Sequence, residues 1–354
     1  MKRNLLVGFL STIIGLALFG LVLKLAGLEN IVGSVKAFSP VYFFPFLLVS
    51  FMIFLAAAYR WKTILNGEKI RISIWTLLKY KFVVFGLNYL TPSVRLGGEP
   101  IKILLLKRQN VKLSKSFASV VVDNFVGMGF DAVIAALVLL VLLVTGIPFS
   151  ESARRLFMAL AVFALFGVTA SYLLLAKKKG TVFSYLLTIA GTLTGTKKHK
   201  WFKPLSEKVA KAEFYMREML TNRQKSKNLW LAILFASLSW PLTVLQYKLA
   251  LQMLGIDVSF TQILISIIML SFTTLIPIPG ALGVQEAGQF SAFKLFSANP
   301  HAGIALSLVL RAKDMLFLFV SFLLISREGS GVFRLVNKKL TDALNGRNKR
   351  KNKK

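Results

Sequence analysis

The chain has 354 residues, 55% of them hydrophobic and only 17% charged, and its mean hydropathy of +0.66 is far above what a water-soluble domain tolerates. Its formal net charge is +31, with no cysteine and two histidines, His199 and His301, far apart in sequence. This excludes disulfide frameworks, thiolate metal sites and cysteine nucleophiles and speaks against a histidine-rich metal centre, so neither a metal nor a cofactor is expected. The positive charge lies in connections between apolar runs, where the positive-inside rule puts it, and no nucleic-acid partner is expected.

A helix needs about 20 apolar residues to cross the hydrocarbon layer, and six runs of that kind can be marked: 5–25, 41–59, 117–145, 155–176, 229–254 and 301–326. The first follows Met1-Lys2-Arg3 but is too long for a signal peptide and lacks a small-x-small cleavage site, so it reads as a retained helix. Arg60-Trp61, just after the second run, reads as an interfacial anchor. Stretch 72–99 is flanked on both sides by basic connections, so it must enter and return on one face. Its apex runs from Asn88 to Pro100 and holds Pro92, Gly97 and Gly98, residues that break helices.

Further along, the basic connection 177–227 predicts an amphipathic helix over Pro204 to Leu220, lying on an anionic leaflet. Stretch 260–298 has Pro277, Pro279, Gly280 and Gly283 at its centre and must begin and end on the outer face. The last segment, 327–354, reads as a disordered basic tail held by acidic lipids. The lysine and arginine clusters put both termini in the cytoplasm.

The two broken stretches match one another. Pro92 and Pro279 each precede a glutamate, Glu99 and Glu286, by seven residues, with glycines between. The shift that superposes them also carries 41–59 onto 228–246. The expected fold is therefore an all-α integral membrane protein with about six transmembrane helices plus two re-entrant broken-helix hairpins, 72–99 and 260–298, arranged as an inverted repeat. One membrane repeat occupies 1–145, the other 155–326, and the tail follows.

Ionisable residues at bilayer depth cost about 2.5–3.5 kcal/mol each on insertion scales and are functional candidates by default. Here they are Arg95, Glu99, Asp123, Asp131, Lys248, Glu286, Lys294, Arg311, Lys313 and Asp314. Arg311 and Asp314 are three apart on one helical face and are placed to neutralise one another. Arg95 and Arg311 have the planar fork that grips a phosphate with two parallel hydrogen bonds. Glu99 and Glu286 follow Gly-rich turns, at helix N-termini whose dipoles favour a carboxylate; a cationic headgroup or a proton is the alternative partner. For Lys248 and Lys294, near segment ends, snorkelling to the interface is the reading.

On Asn88, Pro92, Arg95, Gly97-Gly98-Glu99-Pro100 with Lys102, then Pro277-Ile-Pro279-Gly280-Ala-Leu-Gly283-Val-Gln-Glu286, and Arg311, the sequence resembles the flippase-like membrane domain of the lysylphosphatidylglycerol synthase and flippase family. Ala281 stands where members often have glycine. Asn124 and Gly127 replace parts of a charged motif of which Asp123 keeps the acid, so a reduced charge network is expected in that span. The soluble aminoacyl-transferring domain of bifunctional relatives has no counterpart in this chain. The resemblance implies a non-enzymatic protein of the cytoplasmic membrane that moves a phospholipid, anionic or aminoacylated, between leaflets, with a homo-oligomer left open. The expected translocation residues are Asn88, Arg95, Glu99, Asp123, Glu286, Arg311 and Asp314. The alternatives are an intramembrane transferase on a lipid-linked substrate, using Asp123, Asp131 or Asp314, and an accessory subunit of envelope lipid assembly.

Overall fold

Long apolar runs without turn signals become helices, and among the described residues of the computed structural model there is no strand. Those residues are 38–91, 97–144, 151–176, 187–189, 191–192, 195–198, 202–274, 276–295 and 298–351. The first expected span, 5–25, and the candidates Pro92 and Arg95 lie outside them. The helices are α1 (Phe43–Gly67), α2 (Ile74–Leu90), α3 (Glu99–Arg108), α4 (Leu113–Val144), α5 (Glu151–Ala176), α6 (Phe202–Thr221), α7 (Arg223–Met253), α8 (Phe260–Thr273), α9 (Val284–Leu295) and α10 (Pro300–Lys351). By length and composition, Pro40–Gly67, Leu113–Val141 and Lys225–Met253 can cross a membrane.

α1 and α7 form the most extensive helix pair. Lipid tails are as apolar as leucine, so helices in a bilayer associate through close packing and interhelical hydrogen bonds. Both devices occur here: Ala58, Ala232, Ala236 and Ala250 are buried, and Gln246 Nε2 donates to Ser50 Oγ at 2.5 Å. The rings of Tyr59 and Phe235 stack at 5.3 Å.

Both broken stretches are helix-turn-helix hairpins. In the first, α3 doubles back along α2, so that Leu105 and Leu106 share a core with Leu77, Leu78 and Tyr80. The return limb reaches Arg108, beyond the expected end at residue 99. Its basic composition disguised it, because Lys102 is 1% exposed and buried on charges rather than facing the cytoplasm. In the second hairpin α9 doubles back along α8: Gln289 Nε2 donates to the Ser266 carbonyl at 2.8 Å, and Phe293 packs with Ile263 and Ile267. The Ser259 and Gln262 capping box sets the start of α8.

The expected helix over 204–220 forms as α6 and packs against α4, α5 and α7. One expectation about the connections changes. The tail is helical to Lys351 as a continuation of α10; its lysines, arginines and leucines are good helix formers. On the side carrying the basic connections, Glu68 clasps three elements: Lys225 Nζ meets it at 2.9 Å and Glu218 at 2.9 Å, while Lys115 Nζ lies 3.5 Å away.

Candidate functional site

The breaks decide where the polar groups go. At the first break, Gly98 caps α3, and its N–H donates to Asn88 Oδ1 at 2.6 Å across the loop. A Cβ at Gly98 would sit 2.7 Å from the Val84 carbonyl oxygen, so only glycine permits so close an approach of the two limbs. Pro100 occupies the first turn of α3, where a missing N–H costs nothing. Gly97 belongs to the same turn.

At the second break, Pro279, Gly280 and Ala281 form a single 3-10 turn with Pro279 buried and Pro277 exposed. Gly280 and Gly283 have φ of 57° and 75°, and Ala281 follows at 48° in the same left-handed region. Alanine there carries a steric penalty glycine escapes. The turn aims the start of α9 inward and places Glu286 in its first turn, 0% exposed. Glu99 likewise occupies the first turn of α3. Both carboxylates therefore stand at helix N-termini, as their spacing predicts.

Arg311 of α10 joins the two breaks. Its Nε and Nη2 bind the two oxygens of Glu286 as a fork, Nη2 at 2.9 Å. Nη1 donates to the Tyr89 hydroxyl at 3.1 Å and to the Gly280 carbonyl at 3.0 Å, and Nη2 to the Ala281 carbonyl at 3.1 Å. Five donor contacts satisfy a guanidinium's five N–H groups. The tips touch directly as well, since a Cβ on Gly280 would lie 2.7 Å from the Tyr89 ring. The expected partner of Arg311, Asp314, instead accepts from Lys313 at 2.8 Å. Arg311 is buried and turned toward the hairpins, whereas Asp314 sits at the partly open flank of α10 with Lys313.

A second polar centre lies at the base of the first hairpin. Asp123 of α4, 0% exposed, receives Arg60 Nε of α1 at 2.9 Å, Lys81 Nζ of α2 at 2.7 Å and Lys102 Nζ of α3 at 2.7 Å. Lys102 also reaches Glu99 at 3.3 Å. Both ammonium groups lie over the fully buried Trp61 ring, Lys102 at 4.7 Å and Lys81 at 5.5 Å. Arg60 and Trp61 are thus part of the interior and not an interfacial anchor, because α1 continues past residue 59 to Gly67. Asp123 thus holds three cations in this span without the missing parts of the motif. Gly127 leaves the volume that the Arg60 guanidinium fills, a Cβ there meeting its Nη1 at 2.7 Å.

Sequence reasoning passed over Lys81 and took Arg60 for an interfacial anchor, because each stands among apolar or aromatic neighbours with no acid beside it in sequence. The signal available was their number: Asp123 alone cannot balance them unless they converge on it. Asp131 accepts from Trp240 Nε1 at 3.2 Å. Lys248 and Lys294 are exposed. Among the described residues no three His, Asp or Glu side chains converge as a metal ion needs.

Residues 9–321 match the family described as the lysylphosphatidylglycerol synthase TM region. The chain belongs to that family. A relative in Pyrococcus horikoshii, the UPF0104 membrane protein PH1989, is 25% identical over 353 residues, spanning 96% of this chain and 98% of the relative. A UPF0104 membrane protein of Methanothermobacter thermautotrophicus is also 25% identical, over 348 residues, 95% of this chain and 99% of its own. No solved structure matches. Membership of the lysylphosphatidylglycerol synthase TM family makes this a lipid-related membrane protein and agrees with the apolar helices.

Proposed function

We propose that the chain is a non-enzymatic translocase that carries a phospholipid headgroup between the leaflets of the cytoplasmic membrane, the acyl chains remaining in the bilayer. The observation that carries this reading is the meeting of two broken hairpins at one buried arginine, with a second buried charge centre at the other end of the first break. Asn88 and Tyr89 at the end of α2, with Gly98 and Glu99 at the start of α3, connect the two centres as a continuous polar track. Freed backbone groups at membrane depth are tolerated where protein or a water-filled cavity satisfies them. The seven-residue match between the breaks favours an inverted repeat with both hairpins re-entrant and both termini cytoplasmic.

In this reading the Arg311 fork exchanges Glu286 for a headgroup phosphate. The released Glu286 then takes a proton or the headgroup's ammonium, and the hairpin tips part. The preferred lipids are anionic or aminoacylated. The test is leaflet exchange of headgroup-labelled phospholipids in liposomes containing the purified chain, beside Arg311→Lys and Glu286→Gln. Exchange that both variants lose by at least tenfold supports the track. Exchange unaffected by them places the path elsewhere, and no exchange with any lipid, with or without a proton gradient, overturns the reading.

A further inference from the structure

Outside the hairpins, the connection from α1 to α2 folds around an open cavity of about 910 Å³ lined by Lys62, Asn66, Lys69, Arg71, Ile72 and Ser73. Three of the six are cations. The one acid of this connection, Glu68, is 7% exposed and turned away onto Lys115 and Lys225, while no carboxylate among the described residues bridges Lys62, Lys69 or Arg71. The loop therefore sorts its charges, acid inward and cations toward the cavity.

The backbone maintains that arrangement at a cost. The N–H groups of Lys69 and Ile70 bond back to the Asn66 and Leu65 carbonyls, closing α1 in the way a glycine usually does. Lys69 occupies the left-handed position of that closure, with φ of 59°. Asn66 and Ser73 add an amide and a hydroxyl; Ser73 caps α2 without a side-chain bond, so its hydroxyl is uncommitted. Trp75, two residues into α2, is 63% exposed, as an indole at the boundary between headgroups and acyl chains is.

We infer that this cavity is a binding site for a phosphate group, supplied by an anionic phospholipid headgroup of the cytoplasmic leaflet. Lys62, Lys69 and Arg71 neutralise the phosphate, and Asn66 and Ser73 hydrogen-bond its ester or the polar head. The site lies at the entry to the first hairpin and is separate from the Arg311 centre, so it stands whether or not the chain moves lipid.

The test is native mass spectrometry of the delipidated full-length chain titrated with phosphatidylglycerol and phosphatidylcholine. Phosphatidylglycerol is retained preferentially, and each cation removed in Lys62→Gln or Arg71→Gln lowers its retention roughly fivefold. Lys69→Gly removes an ammonium while relieving the left-handed backbone, so retention falls while the melting temperature holds or rises; this separates binding from folding. Neutralising the exposed Lys248, which does not line the cavity, leaves retention unchanged. Displacement of the lipid by millimolar glycerol 3-phosphate would reassign the cavity to soluble phosphate compounds and overturn the lipid assignment. Equal retention of both lipids, or equal losses from Lys248→Gln, would overturn the site.

Discussion

Ala281 is the residue at which chain and turn disagree most plainly. Its φ of 48° belongs to glycine, and Ala281→Gly is expected to stabilise the protein by about 1 kcal/mol, read as a higher melting temperature in detergent. Glu286 gives the opposite sign. Removing one partner of a buried ion pair costs roughly 3–5 kcal/mol, because the other charge is stranded, so Glu286→Gln lowers thermal stability sharply. The double variant Glu286→Met with Arg311→Met recovers most of that loss while exchange of lipid stays abolished; a double variant as unstable as the single one would show that the backbone carbonyls and Tyr89, not the ion pair, dominate. At this scale the sequence named the acid and the arginine but paired Arg311 with the wrong acid. Helical spacing reports which residues share a face; it does not report that the face is turned toward a loop from another part of the chain. Arg60 was read as an anchor and Lys81 went unread for the same reason, since their partner Asp123 is brought to them only by packing of four helices.

For the elements, the breaks were legible because proline and glycine act through local backbone geometry, which a sequence states directly. The extent of the first hairpin was not, because the apolar face of α3 is short and its lysine turns into the interior. Gly98 tests how tightly that hairpin is closed. A methyl group there meets the backbone oxygen of Val84, which cannot rotate aside, and Gly98→Ala is expected to destabilise by about 1–3 kcal/mol, the usual cost of overpacking. Gly303 on α10 tests the second hairpin in the same way: its Cβ would press on the Gln289 backbone, so Gly303→Ala separates α9 from α10 and weakens the seat of Arg311. Limited proteolysis and melting temperature report both; wild-type behaviour in either would show that the limbs have slack.

The whole molecule carries an orientation that can be read with single cysteines, since the chain has none of its own. Asn66→Cys is expected to react with an impermeant maleimide only from the cytoplasmic side and Asp257→Cys only from the outside; both positions are exposed. Labelling of both from one side would remove the opposed arrangement of the halves. Composition and hydropathy carried the class of the molecule, and the paired breaks carried the family. How the two halves interlock was written in no local stretch.

The Arg311 contacts also impose an order on biogenesis. Tyr89 and Arg311 are 222 residues apart, whereas Glu286 precedes Arg311 by 25. At ordinary rates of synthesis the acid waits for its arginine about 1–5 s, and the first hairpin waits roughly 10–45 s. Until the Gly280 turn that touches Tyr89, and then Arg311 itself, are made, the first tip has no latch. The final helix is therefore the step that completes the latch, and a chain stopped short of residue 311 leaves Glu286 without its arginine.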